Sequence, residues 1–380
     1  MFEMTNDTVS SIFKYITQFF SITDKIKSLD GLSGIDRSEA VLHNLVLEKR
    51  VPGLAITIFK NGESLFQKGF GYSDIENRIQ VNPKKTIFRT ASISKCITGL
   101  AFGKMVEEGI LDWDDSFYKY VSYYPKKKYD FTLRQLASHT SGIRSYRGKE
   151  FALNQPYSIK QSLQVFQDDP LVFEPGKGYL YNSFDFVLLS LAMQEASGIP
   201  FEDYVKEKVL NPLGILNTFP PSCHVELVAA SNNGLINGLR QAQSDTQYYT
   251  KTTTGFKKAI EVNNFYKLAG GGYLSTSDDV AKLGRAVLEQ KLLRTDTYKE
   301  LLKAQLINGK STYYGLGFQV SQDEHGSFIG HVGSSVGGYS NLFVYPEEEV
   351  VVSILINCTD PKIQPLLNEA LSAIMEAQLT

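Results

Sequence analysis

Apolar residues recur at helical spacing after Asp36, where Val41, Leu42, Leu45 and Val46 fall on one face. Asp36 can cap that helix, and Glu39 follows three residues later. The period then shortens. Residues 54–59 and 65–70 are apolar runs on either side of Asn61-Gly62, a pairing that predicts a hairpin. Strand signals return only near the end, at 314–320, 327–332, 339–345 and 350–356. The acidic tip Pro346-Glu347-Glu348-Glu349 reads as a solvated turn, and a periodic helix over 363–377 closes the chain. Between about 100 and 265 the pattern predicts helices separated by long polar loops, punctuated by Pro125, Pro156, Pro170, Pro175, Pro212 and Pro220. Residues 231–254, rich in Asn, Gln, Ser and Thr, read as exposed loop.

Strands at both ends with helices between predict an α/β fold: one antiparallel sheet assembled from the two termini and flanked by their helices. The expected division is an N-terminal extension over 1–30, an α/β domain over 31–100 and 265–380, and a mainly helical insertion over 101–264. No internal repeat interrupts this plan.

Composition narrows the function. The 380 residues carry 39 Lys+Arg against 41 Asp+Glu, a net charge of −2 that excludes a strongly basic nucleic-acid binder. Aromatic residues make up 12%, enough for a substantial core and against a disordered acidic chain. Cys96, Cys223 and Cys358 form neither a metal-binding pair nor an even disulfide framework. No run reaches the ~18 uninterrupted apolar residues of a membrane span. Near the N-terminus, Lys14, Thr17 and Gln18 interrupt Phe13, Ile16, Phe19 and Phe20, so no signal peptide is read. A cytoplasmic protein is the default expectation, and a periplasmic or secreted one follows if the chain is a mature form. Oligomeric state is not legible.

Ser-x-x-Lys occurs three times, at Ser11–Lys14, Ser92–Lys95 and Ser116–Lys119, so the pattern alone carries little. Context separates them. Ser92 opens an apolar helix with Ile97, Leu100, Ala101 and Met105, at the positive end of its dipole, and Lys95 lies one turn along. A serine hydroxyl is a weak nucleophile unless a neighbour accepts its proton. The competing reading is a capping serine beside a surface lysine.

Further strings stand in a fixed order. They are Leu136-Ala137-Ser138-His139-Thr140-Ser141-Gly142, Glu174-Pro175-Gly176 running on to Tyr181-Asn182-Ser183, Ala269-Gly270-Gly271-Gly272, Tyr314-Gly315-Leu316-Gly317-Phe318 and Gly330-His331-Val332-Gly333-Ser334. Together with Ser92-x-x-Lys95 they resemble the serine β-lactamase and penicillin-binding protein superfamily, over roughly residues 36–360. The wording is most similar to the class C and esterase-like branch, within it the lactamase-like serine proteases first known from mitochondria.

The resemblance implies Ser92 as nucleophile, Lys95 as its proton acceptor and Tyr181 as the group passing a proton to the leaving group. It implies His331 and Gly333 on a strand lining the substrate cleft, and the backbone N–H groups of Ser92 and Ser334 as an oxyanion hole. It also implies a peptide or amide substrate, with carboxylic esters next, β-lactams as a side reaction, and no metal or organic cofactor. A penicillin-binding sensor or a non-catalytic scaffold are the alternatives.

Two positions depart from the pattern. Ser183 stands where the second motif usually has asparagine, with Asn182 one residue early; it reads either as a substrate contact or as a helix N-cap. His331 stands where lysine is usual, which shifts the expectation from anionic β-lactams and predicts activity that varies near the histidine pKa. The remaining candidates read as structural: His139 as a loop residue, Cys96 as core, Lys126-Lys127-Lys128 as a solvated patch, Gly270-Gly271-Gly272 as a tight turn beside the cleft, and Trp113 with Leu111 as packing for the insertion. His43, His224 and His325 show no metal spacing.

Overall fold

The computed structural model describes residues 25–221 and 246–376. Most of the expected extension, Ser11–Lys14, Cys223, His224 and the start of the polar 231–254 stretch lie outside the described residues. Along the chain the α-helices are α1 (Gly34–Leu47), α2 (Ser94–Glu107), α3 (Leu133–Ala137), α4 (Phe184–Ser197), α5 (Phe201–Val205), α6 (Ser277–Leu288), α7 (Thr295–Leu301) and α8 (Gln364–Glu376). The strands of the main sheet are β1 (Gly53–Lys60), β2 (Glu63–Asp74), β3 (Ile79–Gln80), β4 (Gln319–Asp323), β5 (Gly326–Ser335), β6 (Gly338–Tyr345) and β7 (Val350–Ile356).

The chain forms two compact units. One comprises residues up to Arg50 together with those from Gln364 onward. In it α1 and α8 bury Val41, Leu42, Leu45, Leu367, Leu371 and Ile374, and Arg37 pairs with Glu369 at 2.7 Å. Asp36 is not the cap. Ser33 holds that position without a side-chain capping bond, and Asp36 sits in the first turn, where an acid still complements the helix dipole.

The second unit runs from Val51 to Ile363. Its sheet has the order β4-β5-β6-β7-β1-β2-β3, so the late strand β7 lies beside the early strand β1, with Leu54 opposite Ile356 and Lys60 opposite Val350. Every pairing in it is antiparallel. The β1–β2 hairpin turns on Asn61 (φ 51°) and Gly62 (φ 78°), two left-handed residues that match the right-handed twist of the strands. Strands β6 and β7 are buried along their whole length, which explains their largely apolar sequence, broken only by the buried Ser340, Asn341 and Ser353. Helix α6 lies directly on them: a Cβ added at Gly284 would stand 2.6 Å from Val351 and 2.8 Å from Leu342.

Helices α2 and α4 are buried around most of their circumference; in α4 every residue from 184 to 193 is enclosed, Asp185 among them. The segment between α2 and α6 adds α3, α5 and several 3₁₀ turns, joined by long loops. Residues 314–320 were expected as a strand, but 314–318 form a loop and β4 begins at Gln319. The backbone groups go elsewhere: Leu316 N–H to Leu301 O and Gly317 N–H to Ala137 O. Gly317 (φ 93°) packs so closely on Lys95 that a Cβ there would stand 2.6 Å from its carbonyl. Among the described residues, no helix is long and apolar enough to cross a membrane.

Candidate active site

Ser92 sits in a 3₁₀ turn, Ala91–Ile93, that runs directly into α2. Ala91 has φ 47°, a left-handed conformation that a non-glycine residue holds only when its surroundings enforce it. They do so here. Thr90 Oγ1 donates to Tyr273 O at 2.7 Å, and Ser94 Oγ accepts from Tyr273 N at 3.1 Å, clamping the turn from both sides.

Three side chains meet at this turn. Lys95, fully buried at the second residue of α2 and one turn beyond Ser92, places Nζ 3.3 Å from Ser92 Oγ and 2.5 Å from Gly270 O. The Tyr181 hydroxyl donates to Ser92 Oγ at 2.6 Å. Burial, reinforced by the neighbouring Lys267, lowers the Lys95 pKa to about 7, so a large fraction of the amine is neutral at physiological pH. Desolvation of the Tyr181 hydroxyl pushes its pKa up and keeps it a proton donor, although 36% of the residue remains exposed.

Strand β5 closes the opposite side. Beyond Gly330 it outruns β4, which pairs only with Gly326 to Gly330, and so presents an open edge. Val332 N–H points to that edge, where it meets Gln319 Oε1 at 3.1 Å. Alternation along a strand therefore sends Ser334 N–H to the same side. Gly333 brings the strand against the serine turn: a Cβ there would stand 2.3 Å from Ser340 Oγ, 2.8 Å from Thr90 O and 2.9 Å from Ser92 N. Only glycine permits that approach.

His331 is 1% exposed and its ring is fully engaged. Nδ1 lies 2.6 Å from Val332 O, which can only accept, so Nδ1 carries the proton. Nε2 then accepts from the Tyr314 hydroxyl at 3.1 Å. Burial, with Lys95 nearby, lowers the pKa to about 3. The expectation of a titrating histidine is corrected: His331 stays neutral through the physiological range, and both ring nitrogens face protein groups.

Of the two readings of Ser183, the N-cap one holds in position only. Ser183 stands at the N-cap of α4 but makes no side-chain capping bond. Asn182 caps instead, its Oδ1 accepting from Asp185 N at 2.7 Å while its Nδ2 donates to Asp185 Oδ2 at 2.6 Å. The Ser183 hydroxyl meets Tyr146. His139, expected as a loop residue, is buried against the rings of Tyr181 and Tyr314, at centroid distances of 4.5 and 4.7 Å.

Several participants went unnoticed in the sequence. Tyr314 lay in a quoted string without a role. Asp185 had no motif that singled it out, nor did Lys267, whose pKa burial lowers to about 7. The Gly270 carbonyl carries no side-chain signal at all. Elsewhere, Cys96 is buried with its thiol pKa pushed up, and Trp113 packs edge-on against Phe102. Lys127 is not simply solvated, since its Nζ ties the loop to the carbonyls of Gln167 and Asp169. Among the described residues no group of three or more His, Cys, Asp or Glu is placed to hold a metal ion.

An antiparallel sheet beside a buried helix that opens on Ser-x-x-Lys defines the β-lactamase and transpeptidase class of α/β folds. The Beta-lactamase family model matches residues 35–374, and the chain belongs to the beta-lactamase family, a family of serine hydrolases. It is 28% identical to the human mitochondrial serine beta-lactamase-like protein LACTB, over 83% of this chain and 72% of that protein. It is 25% identical to protein flp of Staphylococcus aureus strain MW2, over 87% of this chain and 65% of the relative. Among solved structures, the octameric penicillin-binding protein homologue from Pyrococcus abyssi superposes with a TM-score of 0.75 at 25% identity, covering 90% of this chain and 77% of that one. The D-amino acid amidase from Ochrobactrum anthropi SV3, complexed with L-phenylalanine amide, shares the fold with a TM-score of 0.74 at 18% identity, over 90% of this chain and 99% of that one.

Proposed function

We propose that the protein hydrolyses peptide or amide bonds through an acyl-enzyme on Ser92. The observation that carries this reading is the convergence of Lys95 Nζ and Tyr181 OH on one serine oxygen, at 3.3 and 2.6 Å. Neutral Lys95 takes the Ser92 proton as Oγ bonds to the carbonyl carbon. The tetrahedral oxyanion sits between the N–H groups of Ser92 and Ser334, donors fixed before the reaction begins. Tyr181 passes a proton to the departing nitrogen as the C–N bond breaks, and water then hydrolyses the ester on Ser92. Gly333 lets β5 lie against the serine turn, which brings the Ser334 N–H beside Ser92, and His331, with both ring nitrogens held by Val332 O and Tyr314, takes no part in proton transfer.

Carboxylic esters are the second reading. Asn182, turned onto Asp185, offers no amide to hold a substrate amide, and an ester demands less of that contact. Treatment with a fluorophosphonate and with p-nitrophenyl acetate tests the Ser92 acyl-enzyme that both readings share, and turnover of a p-nitroanilide beside the ester separates amide from ester hydrolysis. Wild-type protein is expected to label and turn over, and Ser92→Ala to do neither. Labelling that persists in Ser92→Ala removes the serine from the mechanism. Stable labelling by a fluorescent penicillin without ester turnover indicates a penicillin sensor.

A further inference from the structure

Behind Tyr181 lies a buried polar group that the proposed reaction does not use. Asp185, inside α4, is fully enclosed, yet its two carboxyl oxygens meet three partners. Ser141 Oγ stands 2.5 Å from Oδ1, while Asn182 Nδ2 and His139 Nδ1 approach Oδ2 at 2.6 and 3.0 Å. Burying such a constellation costs free energy for every polar atom left unsatisfied. One is left so: His139 Nε2 is buried without a hydrogen-bond partner.

The backbone that carries the imidazole is also strained. His139 has φ 62°, and the Asp185 contact together with the Leu180 N–H to His139 O bond at 3.0 Å secures it there. That backbone bond ties His139 to the residue immediately before Tyr181. The imidazole then packs on the Tyr181 ring at 4.5 Å and on Tyr314 at 4.7 Å, and Tyr314 in turn holds His331. Lys95 Nζ lies 4.8 Å from the centroid of the Tyr181 ring.

We infer that Asp185 and His139 form a positioning pair, which fixes the Tyr181 ring so that its hydroxyl rests on Ser92 Oγ. This rests on the reading of Ser92 and Tyr181 given above. Asp185 orients the imidazole, the imidazole and its carbonyl orient Tyr181, and neither His139 nor Asp185 touches the substrate. Burial and the proximity of Lys95 hold His139 well below its usual pKa, so it acts by shape and not by charge.

His139→Asn is the informative variant. Asparagine tolerates the left-handed backbone and can still hydrogen-bond Asp185, so the change removes chiefly the ring that packs on Tyr181 and Tyr314. With p-nitrophenyl acetate, kcat is expected to fall roughly 100-fold, the scale of a small misplacement of a reacting group, with KM within about twofold. Tyr181→Phe is expected to lower kcat by about 100-fold or more, and the double variant to be no slower than Tyr181→Phe alone, since both changes act through one hydroxyl. Asp185→Ala should lower kcat, and Asp185→Asn, which preserves the shape, should restore part of it.

Additive losses in the double variant, or wild-type kcat in a folded His139→Asn or Asp185→Ala protein, overturn the inference. Fluorophosphonate labelling of wild type separates the two levels. Unlabelled wild type fails the Ser92 reading, whereas labelled wild type with additive losses fails only the positioning pair.

Discussion

At the scale of the residue, Lys95 decides how the site responds to pH. A lysine in water is charged to about pH 10.4 and cannot accept a proton from serine at neutrality. Full burial brings Lys95 to about 7, while Lys267 lowers and Asp185 raises it. The neutral fraction therefore grows as pH rises through 7. The kcat/KM for p-nitrophenyl acetate is expected to climb along a single acid limb with its midpoint near Lys95's value. His331, lowered to about 3, adds no step between pH 5 and 8. A rate independent of pH from 5.5 to 8.5 would remove Lys95 as the base. The sequence offered the lysine and its spacing, but its burial depends on residues 175 positions away, where Gly270 supplies the carbonyl it meets.

At the scale of the element, β5 works because it carries no side chain where it passes the serine turn. Gly333→Ala would drive a methyl group into Ser340 Oγ, Thr90 O and Ser92 N. The strand and the turn must separate, which moves the Ser334 N–H away from Ser92. Ester turnover is expected to fall about 100-fold, with a loss of roughly 1–3 kcal/mol in stability, read by steady-state kinetics and urea unfolding. Unchanged kcat in this variant would argue against an oxyanion site shared by the two elements. Strand periodicity announced β5, β6 and β7. It misread residues 314–318, because a run of apolar residues broken by Gly315 and Gly317 looks like a strand until the helix it must pack against is known.

At the scale of the whole molecule, burying neutral imidazoles makes stability depend on acid. Unfolded His331 titrates near 6.5, whereas the folded residue resists protonation down to about 3. Between those values the unfolded chain binds the extra proton, so stability rises with pH there and is lost as pH falls from 6.5. One such group contributes a slope of about 1.4 kcal/mol per pH unit. His331→Gln is expected to flatten the pH dependence of urea unfolding between pH 4.5 and 6 by that amount, followed through the single tryptophan, Trp113. His139 acts in the same direction and Asp185 in the opposite one, but both are common to the two proteins, so their difference isolates His331. Equal slopes would show that His331 is not buried neutral.

The sequence by itself determined the elements and their class: the Asn61-Gly62 hairpin, the apolar strands near the C-terminus, and Ser92 and Lys95 one helical turn apart. Those are local facts, written in periodicity, turn chemistry and i to i+3 spacing. Only the tertiary structure decided the electrostatics and the partners. It turned Asn182 onto Asp185, enclosed His331 between Val332 O and Tyr314, and set His139 against Tyr181. Each of these outcomes depends on which distant surfaces remove a group from water. Burial is a property of the assembled chain, and no spacing along the sequence encodes it.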